Sequence, residues 1–501
     1  MPSNSKKVIV IGAGFAGMSA ATFLAQKGWD VTVIEKNTLP GGRARKFLAD
    51  GFTFDMGPSW YWMPDIFENY FGKFGKKVAD YYKLKRLNPS YRVYFEKEAW
   101  DLPANYEALQ ALLESKEPGA AKALDAFLAE AKFKYDIGVG KLVHNPGLSL
   151  KEFIDIDLLK GVFKLDVFQS MKKHVAKYFK HPSIQFLMEF PVLFLGALPE
   201  KTPALYSLMN YADIKGGTWY PEFGMYSIVQ AMYDVAVSLG VQFKLGEEVV
   251  AIEVTNGTAK SIRTKLLNSG EQKEYSFDVL VGAGDYHHIE TKLLAPKYQS
   301  YSSAYWDSRT MAPSSLLYYV GLNKKLTGLL HHNLFFDTDF GLHGREIYTD
   351  PKWPTRPLFY ASVPSITDPT VAPEGHENLF LLIPVAAGLD GDTEEVRDLY
   401  FDKIIKRLEE RSGQSIKDSV IYKRSYSVTD FKADYHSFRG NAYGLANTLL
   451  QTANLKPSCK SKKVNNLYYT GQLTVPGPGV PPSLISGEVV ATLVDKTHNN
   501  K

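Results

Sequence analysis

The stretch that most limits what this chain can fold into is its first beta-alpha-beta unit. Val8-Ile9-Val10-Ile11 is a short apolar run, the next six residues are Gly12-Ala13-Gly14-Phe15-Ala16-Gly17, and small and apolar residues then recur at helical spacing through Ala25. Strand, tight turn and helix are predicted in that order. Gly12 permits the sharp turn, Gly14 lets the backbone approach a pyrophosphate with no Cβ in the way, and Gly17 lets the helix pack closely on the strand. The free N–H groups at the start of that helix, at the positive end of its dipole, face the anion. A second apolar strand, Val31-Thr32-Val33-Ile34, ends at Glu35, eighteen residues beyond Gly17. A carboxylate there accepts hydrogen bonds from a ribose hydroxyl, so the unit reads as a Rossmann-type dinucleotide site with Lys36 at its edge.

The fingerprint does not choose between nicotinamide and flavin dinucleotides, which share an adenosine half. The residues that follow do. In Thr38-Leu39-Pro40-Gly41-Gly42-Arg43-Ala44, a double glycine and an arginine offer backbone donors and a guanidinium to a pyrophosphate from its far side. In this position the stretch resembles the second signature of the flavin amine oxidase-like superfamily, and the resemblance continues through Gly51-Phe52-Thr53-Phe54-Asp55-Met56-Gly57-Pro58-Ser59-Trp60. It implies FAD as the cofactor, with Glu35 on the adenosine ribose and Gly42, Arg43, Ala44, Gly57, Pro58 and Ser59 against the cofactor.

At 501 residues the chain is long enough for two or three domains. Charged residues make up 22% and hydrophobic ones 45%, which excludes a disordered or wholly membrane-embedded chain. The 58 basic and 54 acidic residues nearly balance, so no global field points to nucleic acid. The single cysteine, Cys459, excludes an internal disulfide and a cysteine-rich metal site and fits a reducing cytoplasm. Residues 8–11 are too short for a secretory core, and no run of about eighteen apolar residues predicts a spanning helix. The nearest approach, residues 184–196, is interrupted by Glu189 and Pro191.

Along the chain, Tyr91-Arg92-Val93-Tyr94-Phe95 and the segment near Trp100 read as a hairpin that begins a second domain. Residues 106–211 read as helical, with Leu109, Leu112 and Leu113, then Leu124, Phe127 and Leu128, on periodic faces. Within them, residues 160–180 alternate lysines (160, 164, 172, 173, 177 and 180) with Leu165, Phe168, Met171, Val175, Tyr178 and Phe179. This is a basic amphipathic helix of the kind that lies in a bilayer interface, the competing reading being a core-facing helix with a solvated outer face. A helix over 227–239 capped by Gly240 leads into alternating strands at 241–243 and 249–254, where the cofactor domain resumes. Phe277-Asp278-Val279-Leu280-Val281-Gly282-Ala283-Gly284-Asp285 is a further buried strand ending in glycines. Aromatic-rich strands at 314–320 and 379–384 suggest a sheet with one face covered. A helix over 393–408 puts Val396, Leu399, Tyr400, Ile404 and Leu408 on one side.

The last motif runs from Asn466-Leu467-Tyr468-Tyr469-Thr470-Gly471-Gln472 through Pro476-Gly477-Pro478-Gly479-Val480-Pro481-Pro482 into a helix over 483–494. Prolines suit a first helical turn, and the glycines leave N–H groups open at its N-terminus. With Gly217-Thr218-Trp219-Tyr220-Pro221 and Ala283-Gly284-Asp285-Tyr286-His287-His288, these motifs resemble the carotenoid desaturase branch of the superfamily nearly end to end, most closely the bacterial-type phytoene desaturases. The turn carries Gln472 where many flavoproteins have an acid.

The resemblance implies an α/β fold with a discontinuous Rossmann-type FAD domain (1–75, 222–298, 455–501), a mixed-sheet substrate domain (76–105, 299–454) and a helical membrane-associating subdomain (106–221). It places Val249, Gly471, Gln472, Gly479 and Val480 at the cofactor. It implies a cytoplasmic protein at the inner face of the cell membrane, dehydrogenating an apolar carotenoid by hydride transfer to flavin and passing electrons to oxygen or a quinone. Phytoene desaturation toward lycopene is the leading expectation. A hydroxycarotenoid 3,4-desaturase, a carotenoid isomerase, a retinol saturase or a non-catalytic prenyl-lipid carrier on the same scaffold are the alternatives. Recognition of a hydrocarbon rests on burial at about 25 cal/mol per Å2, for which Trp60, Tyr61, Trp62 and Met63 are candidate walls. No catalytic base is nominated, and the pairs His287-His288 and His331-His332 lack metal-ligand spacing and read as structural or surface residues.

Overall fold

The computed structural model describes residues 5–149, 169–448 and 451–499. Its first layer is a five-stranded parallel sheet in the order Leu467–Tyr469, Val279–Gly282, Lys7–Ile11 (β1), Asp30–Glu35 (β2), Gln242–Leu245. The central strands are buried on both faces, as their unbroken apolar runs require of a parallel sheet. Helix α1, Phe15–Gln26, is buried from Phe15 to Leu24 because the sheet covers one side and the helix Val480–His498 the other. A Cβ on Gly487 would stand 2.5 Å from the Ala16 carbonyl oxygen, so only glycine lets these two helices approach this closely. An antiparallel sheet of Glu247–Thr255, Thr258–Leu266 and Gln272–Ser276 interrupts the parallel one, as the alternation there predicts.

The second large sheet has seven strands in the order Val420–Tyr426, Ser314–Leu322, Glu377–Val385, Phe359–Ser362, His332–Phe336, Tyr91–Phe95, Ala99–Leu102. It is mixed, with a parallel pair where Asn333–Phe336 meets Arg92–Phe95. The predicted hairpin at 91–102 is therefore its edge. The expectation of one covered face is corrected: every residue of Ser314–Leu322 is buried. Leu316, Tyr318 and Val320 pack toward the helix Glu394–Ser412, while Leu317 and Tyr319 join the main core, where Tyr319 meets Phe47 and Phe54. That helix starts at the cap Thr393, whose hydroxyl accepts from the Val396 N–H. Its buried stripe is rotated from the predicted one, since Phe401 and Ile405 face the sheet and Leu399 is 53% exposed.

The helices Tyr106–Lys116, Ala120–Gly138, Met171–Tyr178 and Pro182–Glu189 pack each on the next. Of the basic stretch 160–180, residues 160–168 lie outside the described residues, including Lys160, Lys164, Leu165 and Phe168. In the remainder Met171, Val175 and Phe179 are fully buried, and Lys172 pairs at 2.6 Å with Glu200. The apolar stripe of this part faces protein, which corrects the interfacial reading there. The apolar run that follows is also interior: Ile184, Met188 and Val192 are fully buried. Among the described residues no helix is long and apolar enough to cross a membrane.

Asp55 ties the units together. Its two oxygens accept the N–H groups of Met225 (2.7 Å) and Tyr226 (3.0 Å), capping the helix Tyr226–Ser238 from a distant strand. Burial raises this carboxyl to about 6. Gly224, at φ +92°, leaves room for it, since a Cβ there would stand 2.7 Å from Asp55 Oδ2. Asp55→Ala is expected to destabilise the flavin-loaded protein by about 1–2 kcal/mol, the scale of a lost helix cap. Urea denaturation of both proteins measures it.

Candidate functional site

β1 ends in a turn whose glycines divide the work. Gly12 sits at φ +104° with its backbone against Ala283 and Gly284. A Cβ on Gly17 would stand 2.0 Å from the Gly12 oxygen, so Gly17 is the packing contact between helix and turn. In front of Gly14 nothing lies within 4 Å of where a Cβ would be. At the end of β2, buried Glu35 accepts the Ala13 N–H through Oε2 (2.8 Å) and the Asn37 backbone N–H and side-chain amide through Oε1 (both 2.8 Å). Its carboxylate therefore holds the turn before it meets any ligand, with one lone pair of Oε2 left to accept a further bond.

The turn opens into a cavity of about 510 Å3, within the range of small-molecule sites. Gly12, Gly14, Phe15, Ala16, Glu35 and Lys36 line it from the first unit, and Gly42, Arg43, Ala44, Gly57, Pro58 and Ser59 from the second. Val249, Gly471, Gln472, Gly479 and Val480 complete the predicted set in its wall. Ala13 and Gly17 stand behind that wall, one bonding Glu35 and the other packing on the turn.

Arg43 reaches across the cleft. Its Nη2 donates to Ser437 Oγ (3.0 Å) and the Asn441 carbonyl (3.3 Å), while its Nε is buried without a partner. Arg45, which sequence reasoning passed over, donates to Asp434 (2.6 Å) and Asn37 (2.8 Å). Gln472 Nε2 donates to Asn441 Oδ1 at 3.1 Å. The helix Val480–His498 begins at Gly479 (φ +113°) with prolines in its first turn. Behind its entry loop the buried Lys456 Nζ donates to Asn447 Oδ1 (2.7 Å), and a Cβ on Gly477 would stand 2.9 Å from that nitrogen. Burial pulls this amine down to about 7.

Away from the turn the wall becomes apolar. Trp60, Trp62 and Met63 line it, together with Leu334, Phe336 and Tyr360. Tyr61 does not. Its ring stacks on Phe67 (4.4 Å) with its hydroxyl 3.0 Å from that of Tyr82. Each histidine of the two pairs has its own neighbours: His332 stacks on Trp60 (4.1 Å) with Nδ1 2.6 Å from the Tyr360 hydroxyl, and His331 Nδ1 meets Thr367 Oγ1 at 2.8 Å. His287 lies against Phe438 and His288 against His436, each at 3.9 Å. Burial holds His288 down to about 3. Among the described residues no group of three His, Cys, Asp or Glu side chains converges as a metal site.

Residues 15–495 match the family described as flavin containing amine oxidoreductase. The chain belongs to that family. Within it the chain stands in the carotenoid desaturase branch. It is 39% identical to a carotenoid 3,4-desaturase of Haloarcula japonica, covering 97% of this chain and 98% of that one. It is 32% identical to a zeta-carotene-forming phytoene desaturase of Myxococcus xanthus, covering 97% and 93%. A solved putrescine oxidase superposes with a TM-score of 0.62 at 12% identity, over 98% of this chain and 99% of that one, which shows the shared fold.

The cofactor of this flavin containing amine oxidoreductase is FAD, the family supplying the flavin and the first turn the dinucleotide half. The residues fit it: open space before Gly14, a partnerless guanidinium nitrogen on Arg43, and two helix N-termini on one cavity. The contrast between the glycines is testable. Gly14→Val should leave the fold intact and abolish flavin retention, whereas Gly17→Val should lower soluble yield and stability together; flavin absorbance and thermal melts of both separate the two. A second expectation concerns Lys456. Between about 7 and the ordinary value of 10.5 only the unfolded chain holds the extra proton, so stability rises with pH across that window. Lys456→Met should flatten the rise in denaturation series taken from pH 7 upward.

Proposed function

We propose that the protein is an FAD-dependent carotenoid desaturase. One observation carries the reading: a single cavity joins the dinucleotide turn to an apolar, aromatic chamber. The N–H groups of residues 14–16 would hold the pyrophosphate, Glu35 the adenosine ribose, and the N-terminus of the helix Val480–His498 the far half of the cofactor. Bound flavin supplies a hydride acceptor. The chain's own part is to align an allylic C–H against it and exclude water, with Trp60, Trp62 and Phe336 providing contact where no polar handle exists. Oxygen or a membrane quinone takes the electrons onward. Because such a substrate dissolves in lipid, the protein would work at the inner face of the cell membrane.

Phytoene, converted toward lycopene, is the leading substrate, supported by the apolar chamber and the Myxococcus relative. Desaturation of a hydroxycarotenoid at its 3,4 position is the second reading, and it has support of its own. The Haloarcula relative carries the 3,4-desaturase name. The chamber also presents Ser315, Tyr348 and Tyr443. The Ser315 hydroxyl is buried beside that of Tyr443 without a hydrogen-bond partner of good geometry, a cost that an oxygen on the substrate would relieve.

Anaerobic mixing of the flavin-loaded protein with phytoene, and separately with a monohydroxylated carotenoid, tests both. Bleaching of the flavin with formation of a longer polyene is expected. Bleaching by neither, or a purified protein that retains no flavin, rejects the desaturase reading in favour of a lipid carrier. Faster bleaching by the hydroxylated substrate favours the second reading, and Tyr443→Phe should then cut that advantage by about five- to tenfold, the scale of one hydrogen bond.

A further inference from the structure

Residues 431–441 follow strand Val420–Tyr426 and so belong by connection to the seven-stranded sheet, and Asp434, Arg439 and Gly440 keep contacts there with Tyr426, Gly388, Asp307 and Ser314. A second set of polar contacts goes to the cofactor unit. The Lys36 ammonium donates to the Ala433 carbonyl (2.6 Å) and lies 3.4 Å from His436 Nε2, which in turn meets Glu248 Oε1 at 2.6 Å. Arg45 donates to Asp434 (2.6 Å) and to the Tyr435 hydroxyl (3.2 Å). Arg43 donates to Ser437 and Asn441, and Asp285 Oδ2 accepts the Phe438 N–H at 3.0 Å. The rings of His288 and His436 stack at 3.9 Å with 6° between their planes.

Two further features belong to the segment. His436 (φ +51°) and Arg439 (φ +55°) are both left-handed without being glycine, a conformation that persists only where surroundings impose it. Phe431, Asp434, Tyr435 and His436 also line the cavity itself. Lys36 follows Glu35 directly and Glu248 precedes Val249, so the contacts gather around the end of the cleft assigned to adenosine.

We infer that residues 431–441 are the outer wall of the FAD site, a strap from the substrate unit that covers the adenosine half, and that FAD loads and leaves only when the strap is released. The inference rests on Glu35 as the ribose partner and is independent of the substrate's identity. The ties of Lys36, Arg45 and His436 are partly exposed pairs of modest strength, while Asp285, Ser437 and Asn441 make theirs from buried positions. Held together by one segment, they open together or not at all.

The experiment follows FAD rather than turnover. Flavin-loaded protein is diluted and release is read from recovery of free-flavin fluorescence, for the natural chain, for His436→Ala and for the nearly isosteric Asp434→Asn. Release at least about fivefold faster is expected in the variants, the scale of one lost charge-assisted hydrogen bond. Trypsin provides a second readout, because exposed Lys432 lies inside the helix Val428–Tyr435 and is cut only when that helix opens. Cleavage there should be fast in the FAD-free protein and slow in the loaded one. Unchanged release in both variants, or cleavage that ignores FAD, overturns the inference. A chain that loads FAD and bleaches with no carotenoid, yet shows both effects, leaves the strap standing and removes the desaturase reading instead.

Discussion

The whole site depends on the close approach of two helices that start at the same cavity. α1 reaches the turn because Gly17 leaves space over the Gly12 carbonyl, and the helix Val480–His498 reaches α1 because Gly487 leaves space over Ala16 and Ala20. Any side chain at either glycine would push one helix away and separate two positive dipole ends that now face one volume. The first and last parts of the chain thus form a single anion-binding surface. The parallel strands supply the platform, but it is helix spacing that sets the width of the cleft.

Buried carboxylates connect this surface to the rest of the molecule. Glu35 bonds the turn at Ala13, Asp55 caps the helix Tyr226–Ser238, and Asp285 accepts the N–H groups of His288 and Phe438. In each case a carboxylate from one segment satisfies backbone donors of another, which a helix start or a turn leaves open. Burial raises Asp55 and Asp285, and the amide donors offset that cost only partly. The arrangement explains why motifs far apart in sequence occur together: the Phe54-Asp55-Met56 and Gly224-Met225 segments are halves of one contact.

The elements legible in the sequence are those fixed by local rules. Glycine spacing marked the first turn, the aromatic run Tyr91–Phe95 and the segment near Trp100 marked a hairpin, and Thr393 marked the start of its helix. What escaped depends on partners distant in the chain. Leu399 looks apolar on a helical wheel, but the sheet it would face is met by Phe401 and Ile405 instead. Tyr61 sits among wall residues and turns away because Tyr82 takes its hydroxyl. Arg45, Asp434 and His436 carry no recognisable spacing, and their meeting across the cleft is visible only once the two sheets are in place. The buried second face of Ser314–Leu322 is hidden for the same reason, since Phe47 and Phe54 cover it from a separate hairpin.

The join between the two halves of the cavity lies within a few residues. Gly57, Pro58 and Ser59 belong to the polar, backbone-lined part, and Trp60 begins the aromatic part. No linker separates them, so a charged dinucleotide and an uncharged chain would meet at a boundary set by one strand's exit. Gly57 has no room for a Cβ, which would stand 2.4 Å from the Arg43 carbonyl, while Trp60 is fixed by its stack on His332. The polar side is thereby held by close backbone packing and the apolar side by ring packing, and neither can shift without the other. A boundary of this kind fixes where a ligand in the aromatic part ends and the dinucleotide part begins.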